Sequence, residues 1–132
     1  MILIFGGAYQ GKLRYALDTY NLSENDVYRC QMDNTDFPTG KKIIYEIDKW
    51  IYALIKDQVN VSSVIPIMLT LLTNMENKID SIIICNDISS GVVPMDSDLR
   101  KWREETGRVM ALLAQESKSV YRIFCQLPTK IK

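Results

Sequence analysis

The chain opens on an unbroken apolar run, Met1-Ile-Leu-Ile-Phe5. Five such residues are too few for a helix and match a parallel strand covered on both faces. Gly6 and Gly7 then turn the chain. From Lys12 the apolar positions Leu13, Ala16, Leu17 and Tyr20 fall three and four apart, which predicts a helix ending near Asn21. Asp26–Cys30 reads as a second strand, and residues 31–42, rich in Asp, Asn, Thr, Pro and Gly, as a loop. From Lys42 the pattern turns helical, with Ile43, Ile47, Trp50, Ile51, Leu54 and Ile55 on one broad face. A further helix is expected over about Ser62 to Glu76, with Pro66 in its first turn. The β-branched run Asp80-Ser-Ile-Ile-Ile-Cys85 predicts a strand, and Asp87–Pro94 a loop punctuated by Gly91 and Pro94. Asp96 or Ser97 caps a long helix to about Ser117, with Leu99, Trp102, Val109, Leu112 and Leu113 on its buried side. Ser119–Cys125 is the last expected strand, and Pro128 opens a short tail.

Strands alternating with helices predict an α/β domain of three layers, a mainly parallel sheet with helices on both faces. The 132 residues suit one domain, residues 1–132. Ligands of such sheets bind beyond the carboxyl ends of the strands. Three polar or glycine-rich segments fall there: 6–13, 31–41 and 86–96.

Composition narrows the chemistry. Sixteen basic residues balance sixteen acidic ones, so no overall field draws the chain to nucleic acid or to a membrane surface. The absence of histidine excludes His-based acid–base catalysis, Ser-His or Cys-His triads and phosphohistidine intermediates. Cys30, Cys85 and Cys125 form no C-x-x-C pair, and each ends an apolar run, the setting of a small buried hydrophobe. With no signal-like start and no long apolar span, a cytoplasmic protein is expected.

The candidate chemistry lies in Gly6-Gly7-Ala8-Tyr9-Gln10-Gly11-Lys12-Leu13. It carries the glycines and lysine of the phosphate-binding pattern G-x-x-x-x-G-K-[ST] between a strand and a helix. Glycines let backbone N–H groups curl around phosphate oxygens, the lysine neutralises charge, and the final hydroxyl holds Mg²⁺. Leu13 takes the hydroxyl's place, so the cradle is kept and the metal grip is lost. Asn86-Asp87 follows a strand; Asp87 there serves either to hold Mg²⁺ or to cap the next turn. In Ile43-Ile-Tyr-Glu-Ile-Asp48, Glu46 is a candidate strand-end acid, against the helical spacing of the same segment.

The stretch Cys85-Asn-Asp-Ile-Ser-Ser-Gly-Val-Val-Pro94, the run Arg100-Lys-Trp-Arg-Glu-Glu-Thr-Gly-Arg-Val-Met110 and the closing Val120-Tyr-Arg-Ile-Phe-Cys125 resemble the adenosylcobinamide kinase / adenosylcobinamide-phosphate guanylyltransferase family of cobalamin biosynthesis. That family carries Asn-Glu-Val-Gly-x-Gly-Ile-Val-Pro, then Arg-x-Phe-Arg-Asp-x-x-Gly-Arg-Val-Asn. It opens with Gly-Gly-Ala-Arg-Ser-Gly-Lys-Ser, against Gly6 to Leu13 here. The resemblance covers residues 1–20 and 80–132. It implies a P-loop fold, GTP or ATP and a corrinoid (adenosylcobinamide) as partners, and a homo-oligomer, the family being trimeric. It also makes Arg103 and Arg108 candidates for anion contacts.

The family phosphorylates the aminopropanol hydroxyl of adenosylcobinamide, then transfers GMP to that phosphate through a histidine. This chain lacks the histidine and is shorter in the middle, where that residue lies in the family. Asp87 also replaces the family's Glu. The expected activity is at most the kinase half, with Lys12 and Asp87 catalytic and residues 6–13 cradling phosphate. Asp87 and Glu46 would hold Mg²⁺ through water. The alternative expectation is a non-catalytic relative acting as a binding or assembly subunit.

Overall fold

The computed structural model describes residues 1–73, 81–88 and 96–132. Six strands form one sheet: β1 (Ile2–Gly6), β2 (Val27–Arg29), β3 (Ile43–Tyr45), β4 (Ile82–Asn86), β5 (Ser119–Phe124) and β6 (Leu127–Lys130). Their order is β2-β3-β4-β1-β5-β6, parallel except for the β5–β6 hairpin. Four helices accompany them: α1 (Lys12–Thr19), α2 (Ile47–Lys56), α3 (Val61–Thr73) and α4 (Ser97–Glu116). The expected α/β architecture with a mainly parallel sheet is therefore observed.

Alternation along the central strands explains the layers. Ile2 and Ile4 of β1, Ile82 and Ile84 of β4 and Ile43 of β3 pack with Ala16 of α1 and, at their margin, Leu13 and Leu17. Leu3, Ile83, Cys85 and Ile44 point the other way, against Trp50, Ile51 and Leu54 of α2, Ile65 and Met68 of α3 and Val109 and Leu113 of α4. Burial on both faces is why these strands read as continuous apolar runs rather than alternating ones.

Several boundaries differ from the sequence expectation. Ile43–Tyr45 is a strand, and the helix begins only at Ile47. Ile43 and Ile44 are both fully buried, on opposite faces of the sheet, so Ile43 sits on the strand and not on the helical face its spacing to Ile47 implies. Pro66 lies inside α3, beyond its first turn. Its ring leaves the carbonyl of exposed Ser62 without the usual helical partner, on the side of α3 that faces water. Residues after Pro128 form no tail: Leu127–Lys130 pair antiparallel to β5 at the sheet edge, where a proline's missing N–H is tolerated.

Asp96 caps α4, accepting hydrogen bonds from Asp98 N (2.8 Å) and Leu99 N (3.1 Å). Val109 and Leu113 of α4 are buried as expected, but Leu99 and Leu112 are 37% and 43% exposed. Cys30 and Cys85 are buried and Cys125 is exposed, in the β5–β6 turn, contrary to its expected burial. The end of the helix expected over about Ser62 to Glu76 (74–76) and most of the loop expected at 87–94 lie outside the described residues.

Candidate functional site

Loops leaving the carboxyl ends of the strands meet around one open cleft of about 790 Å³. That is within the usual range for small-molecule sites. Its walls come from the loop after β1, from residues after β2, β3 and β4, and from the β5–β6 turn. Ala8, Tyr9, Gln10, Gly11, Lys12 and Leu13 all line it, and so do Glu46, Asn86 and Asp87. Gly6, the last residue of β1, and Gly7 after it are not among the residues that line it.

Two glycines of the loop have visible reasons. A Cβ on Gly6 would collide with the carbonyl oxygen of Ile123 on the neighbouring strand. Gly11 has φ 87°, in the left-handed region, and a Cβ there would stand 2.8 Å from Cγ of Gln126. Tyr9 (φ 60°) is left-handed as well. Left-handed residues set among ordinary ones bend the backbone into the concave arrays of N–H groups that hold anions. The amino end of α1 opens directly onto this turn, adding its own free N–H groups and positive dipole end.

Lys12 is 4% exposed, and its ammonium donates to the Gly7 carbonyl at 2.6 Å, folding the side chain back into its own loop. Burial pulls its pKa below the ordinary lysine value, while the nearby carboxylates of Asp48 and Glu46 pull the other way. Leu13 offers the cleft only carbon and packs at the margin of the α1-side core.

Opposite the loop stands a carboxylate pair bound to one amide. Nδ2 of Asn86 donates to Glu46 Oε2 (2.9 Å) and to Asp48 Oδ2 (3.2 Å), and the Asn86 backbone N–H donates to Asp48 Oδ1 (3.0 Å). Asp48 is 2% exposed, and its carbonyl accepts the Trp102 indole N–H at 2.7 Å. Burial raises the pKa of Asp48, partly offset by the bonds from Asn86. Glu46 is the left-handed residue (φ 61°) between β3 and α2, and its carboxylate also pairs with Lys49 at 3.2 Å. Glu46 is thus a strand-end acid after all: the strand is three residues long and the helical spacing begins beyond it. Asp87 follows Asn86 in the cleft wall, its N–H donating to the Gly6 carbonyl at 2.8 Å, which ties β4 to the phosphate-type loop.

Sequence reasoning named the loop, Glu46 and Asp87 but passed over Asp48, Trp102 and the turn at Cys125-Gln126. Asp48 could have been found as the second acid of Tyr45-Glu-Ile-Asp48; no local signal marks the others. Arg103 and Arg108 do not line this cleft, and Arg108 pairs with Glu105 at 2.9 Å. The two buried thiols are chemically quiet: burial pushes Cys30 up to about 12 and Cys85 well above its ordinary value.

The charges of the cleft balance, with Lys12, Arg14 and Lys49 facing Glu46, Asp48 and Asp87. An anionic polyphosphate entering it brings charge that the wall alone does not neutralise. Glu46 and Asp87 bring to the cleft carboxylate oxygens, the hard donors that Mg²⁺ takes. They do not suit a dehydrated metal cage: among the described residues no group of three His, Cys, Asp or Glu stands together to form one. No helix among the described residues is long and apolar enough to cross a membrane.

No curated protein matches the chain. A family model described as cobinamide kinase / cobinamide phosphate guanyltransferase matches residues 32–131. The matched stretch takes in β3, β4, α4 and the β5–β6 hairpin, and with them Glu46, Asp48, Asn86 and Asp87; the loop at 6–13 precedes it. This is a family of cobalamin biosynthesis with a P-loop fold, whose substrates are a nucleotide and cobinamide. The match covers well over half of the sequence, and the chain belongs to the cobinamide kinase / cobinamide phosphate guanyltransferase family.

Proposed function

We propose that this chain binds GTP or ATP at residues 6–13 and retains at most the kinase half of the family's chemistry. The observation that carries this reading is Lys12, drawn into a glycine loop at the mouth of α1 and facing Glu46, Asp48 and Asn86 across the cleft. Backbone N–H groups of residues 7–13 cradle the phosphates. The Lys12 ammonium exchanges its bond to the Gly7 carbonyl for one to the β- and γ-phosphates. Phosphoryl transfer asks little covalent chemistry of a protein, so positioning and charge are what these residues supply.

Lys12 and Asp87 are the catalytic residues of this reading. The aminopropanol hydroxyl of the corrinoid attacks the γ-phosphorus: its O–P bond forms as the β–γ bridge breaks, its O–H proton passes to water, and the nucleoside diphosphate leaves. Lys12 offsets charge on the transferring group. Glu46 and Asp87 would hold Mg²⁺ through water, with Asn86 fixing the Glu46 carboxylate by its 2.9 Å bond. When bound, the ion neutralises phosphate charge. The family's GMP transfer through histidine is absent from this reading, because the chain has no histidine. A homo-oligomer, trimeric as the resemblance implies, belongs to the same proposal. The exposed β6 edge and the exposed Phe124, Leu127 and Ile131 beside it are compatible with self-association.

Leu13 favours a second reading, a non-catalytic binding or assembly subunit, since water-mediated metal binding is a weak substitute for a direct hydroxyl ligand. Leu13→Ser separates the two. The kinase reading expects slow formation of phosphorylated cobinamide from wild type and a faster rate from Leu13→Ser. No phosphorylated product from either protein would contradict it and leave the assembly role.

A further inference from the structure

Residue 10 of the loop reaches out of it. The Gln10 side chain accepts the Cys125 N–H at Oε1 (2.6 Å), and the Gln10 backbone carbonyl accepts the Gln126 N–H (3.0 Å). One residue thus receives both amides of the two-residue turn that joins β5 to β6. That turn is built from two left-handed residues, Cys125 (φ 50°) and Gln126 (φ 64°), the backbone of the tightest hairpins. Neither is glycine, so the conformation costs something that its surroundings must hold in place. The contact continues on the other side, where the Gln126 side chain lies against Gly11 so closely that a methyl group there would touch its Cγ at 2.8 Å.

We infer that Gln10 is a positioning residue: it ties the phosphate loop to the β5–β6 turn and so presets the loop's N–H groups for a polyphosphate. The inference rests on the phosphate reading above and adds to it a residue and a partner segment. A loop with many free conformations must be ordered by its ligand, and that ordering is subtracted from affinity. Bonds from the turn do part of the ordering beforehand. They also act next to Lys12, because Gly11, wedged against Gln126, precedes it in sequence.

Two substitutions test this. Gln10→Met keeps the length and removes the acceptor; Gln10→Glu keeps an oxygen that the Cys125 N–H can reach. Amide exchange of Cys125 in nucleotide-free protein reads the tether, and titration with GTP reads its consequence. Gln10→Met is expected to speed Cys125 exchange and weaken GTP binding, each about tenfold, as loss of one such hydrogen bond allows. The melting midpoint should fall by only several degrees, as loss of about 1 kcal/mol implies, and Gln10→Glu should keep the slow exchange of Cys125. Unchanged Cys125 exchange in Gln10→Met would overturn the tether. Faster exchange with unchanged GTP affinity would overturn the positioning role. A wild-type protein that binds no GTP would refute the phosphate reading itself, and the positioning role with it, whatever the exchange shows.

Discussion

At the scale of single residues the cleft is organised by burial acting against charge. Asp48 is the sharpest case, a carboxylate 2% exposed with Asn86 as its hydrogen-bond donor and Glu46, Lys12 and Cys85 as its charged or titratable neighbours. Its pKa is raised in the folded protein, so the native state keeps this proton at a pH where the unfolded chain, with an ordinary value of 3.8, has lost it. Stability from this group is therefore full in acid and declines as pH rises from about 4 through the raised value. Asp48→Asn removes the titration. Denaturant unfolding of the two proteins at several pH values should show the variant gaining on wild type as pH climbs from acid to neutral, whereas parallel curves would contradict the assignment. Lys12 works in the opposite sense. Its lowered pKa means that stability recovers as pH rises through its native value toward 10.5.

At the scale of elements, the sequence pattern was most legible where an element is buried on a regular period. The apolar runs of β1 and β4 and the loop between β1 and α1 stand where their residues placed them. Ile43–Tyr45 was not legible as a strand because it is short, its two isoleucines are buried and a helix begins two residues later, so those isoleucines also satisfy a helical spacing. The strand at Leu127–Lys130 was hidden for the opposite reason, since all four residues are exposed and one is proline. The Cys125-Gln126 turn reaches the site only through pairing across the sheet, which no local pattern encodes. Pro66 gives an element-scale test. It removes one helical hydrogen bond from an exposed position inside α3, a cost of about 3 kcal/mol, offset by about 1 kcal/mol of unfolded-state entropy. Pro66→Ala should stabilise the protein by about 1–2 kcal/mol in denaturant unfolding, and a loss of stability would show that the helix depends on the ring.

At the scale of the whole molecule, the strand order gathers the chemistry. Placing β4 between β3 and β1 sets Glu46, Asn86, Asp87 and the glycine loop at adjacent strand ends, so residues forty apart in sequence share one hydrogen bond. The β5–β6 hairpin closes the other side of the loop. The family's fold is kept around a loop with Leu13 where the phosphate-binding pattern has a hydroxyl, and the chain has no histidine. The reading that unites these facts is a phosphate cradle still able to bind. Calorimetric titration of GTP and ATP with Mg²⁺ into wild type and Lys12→Ala tests it most directly. The account predicts saturable binding to wild type and a loss of at least about tenfold in Lys12→Ala, as removal of a charge-assisted contact allows. Equal binding by the two proteins, or none to wild type at millimolar nucleotide, would contradict it.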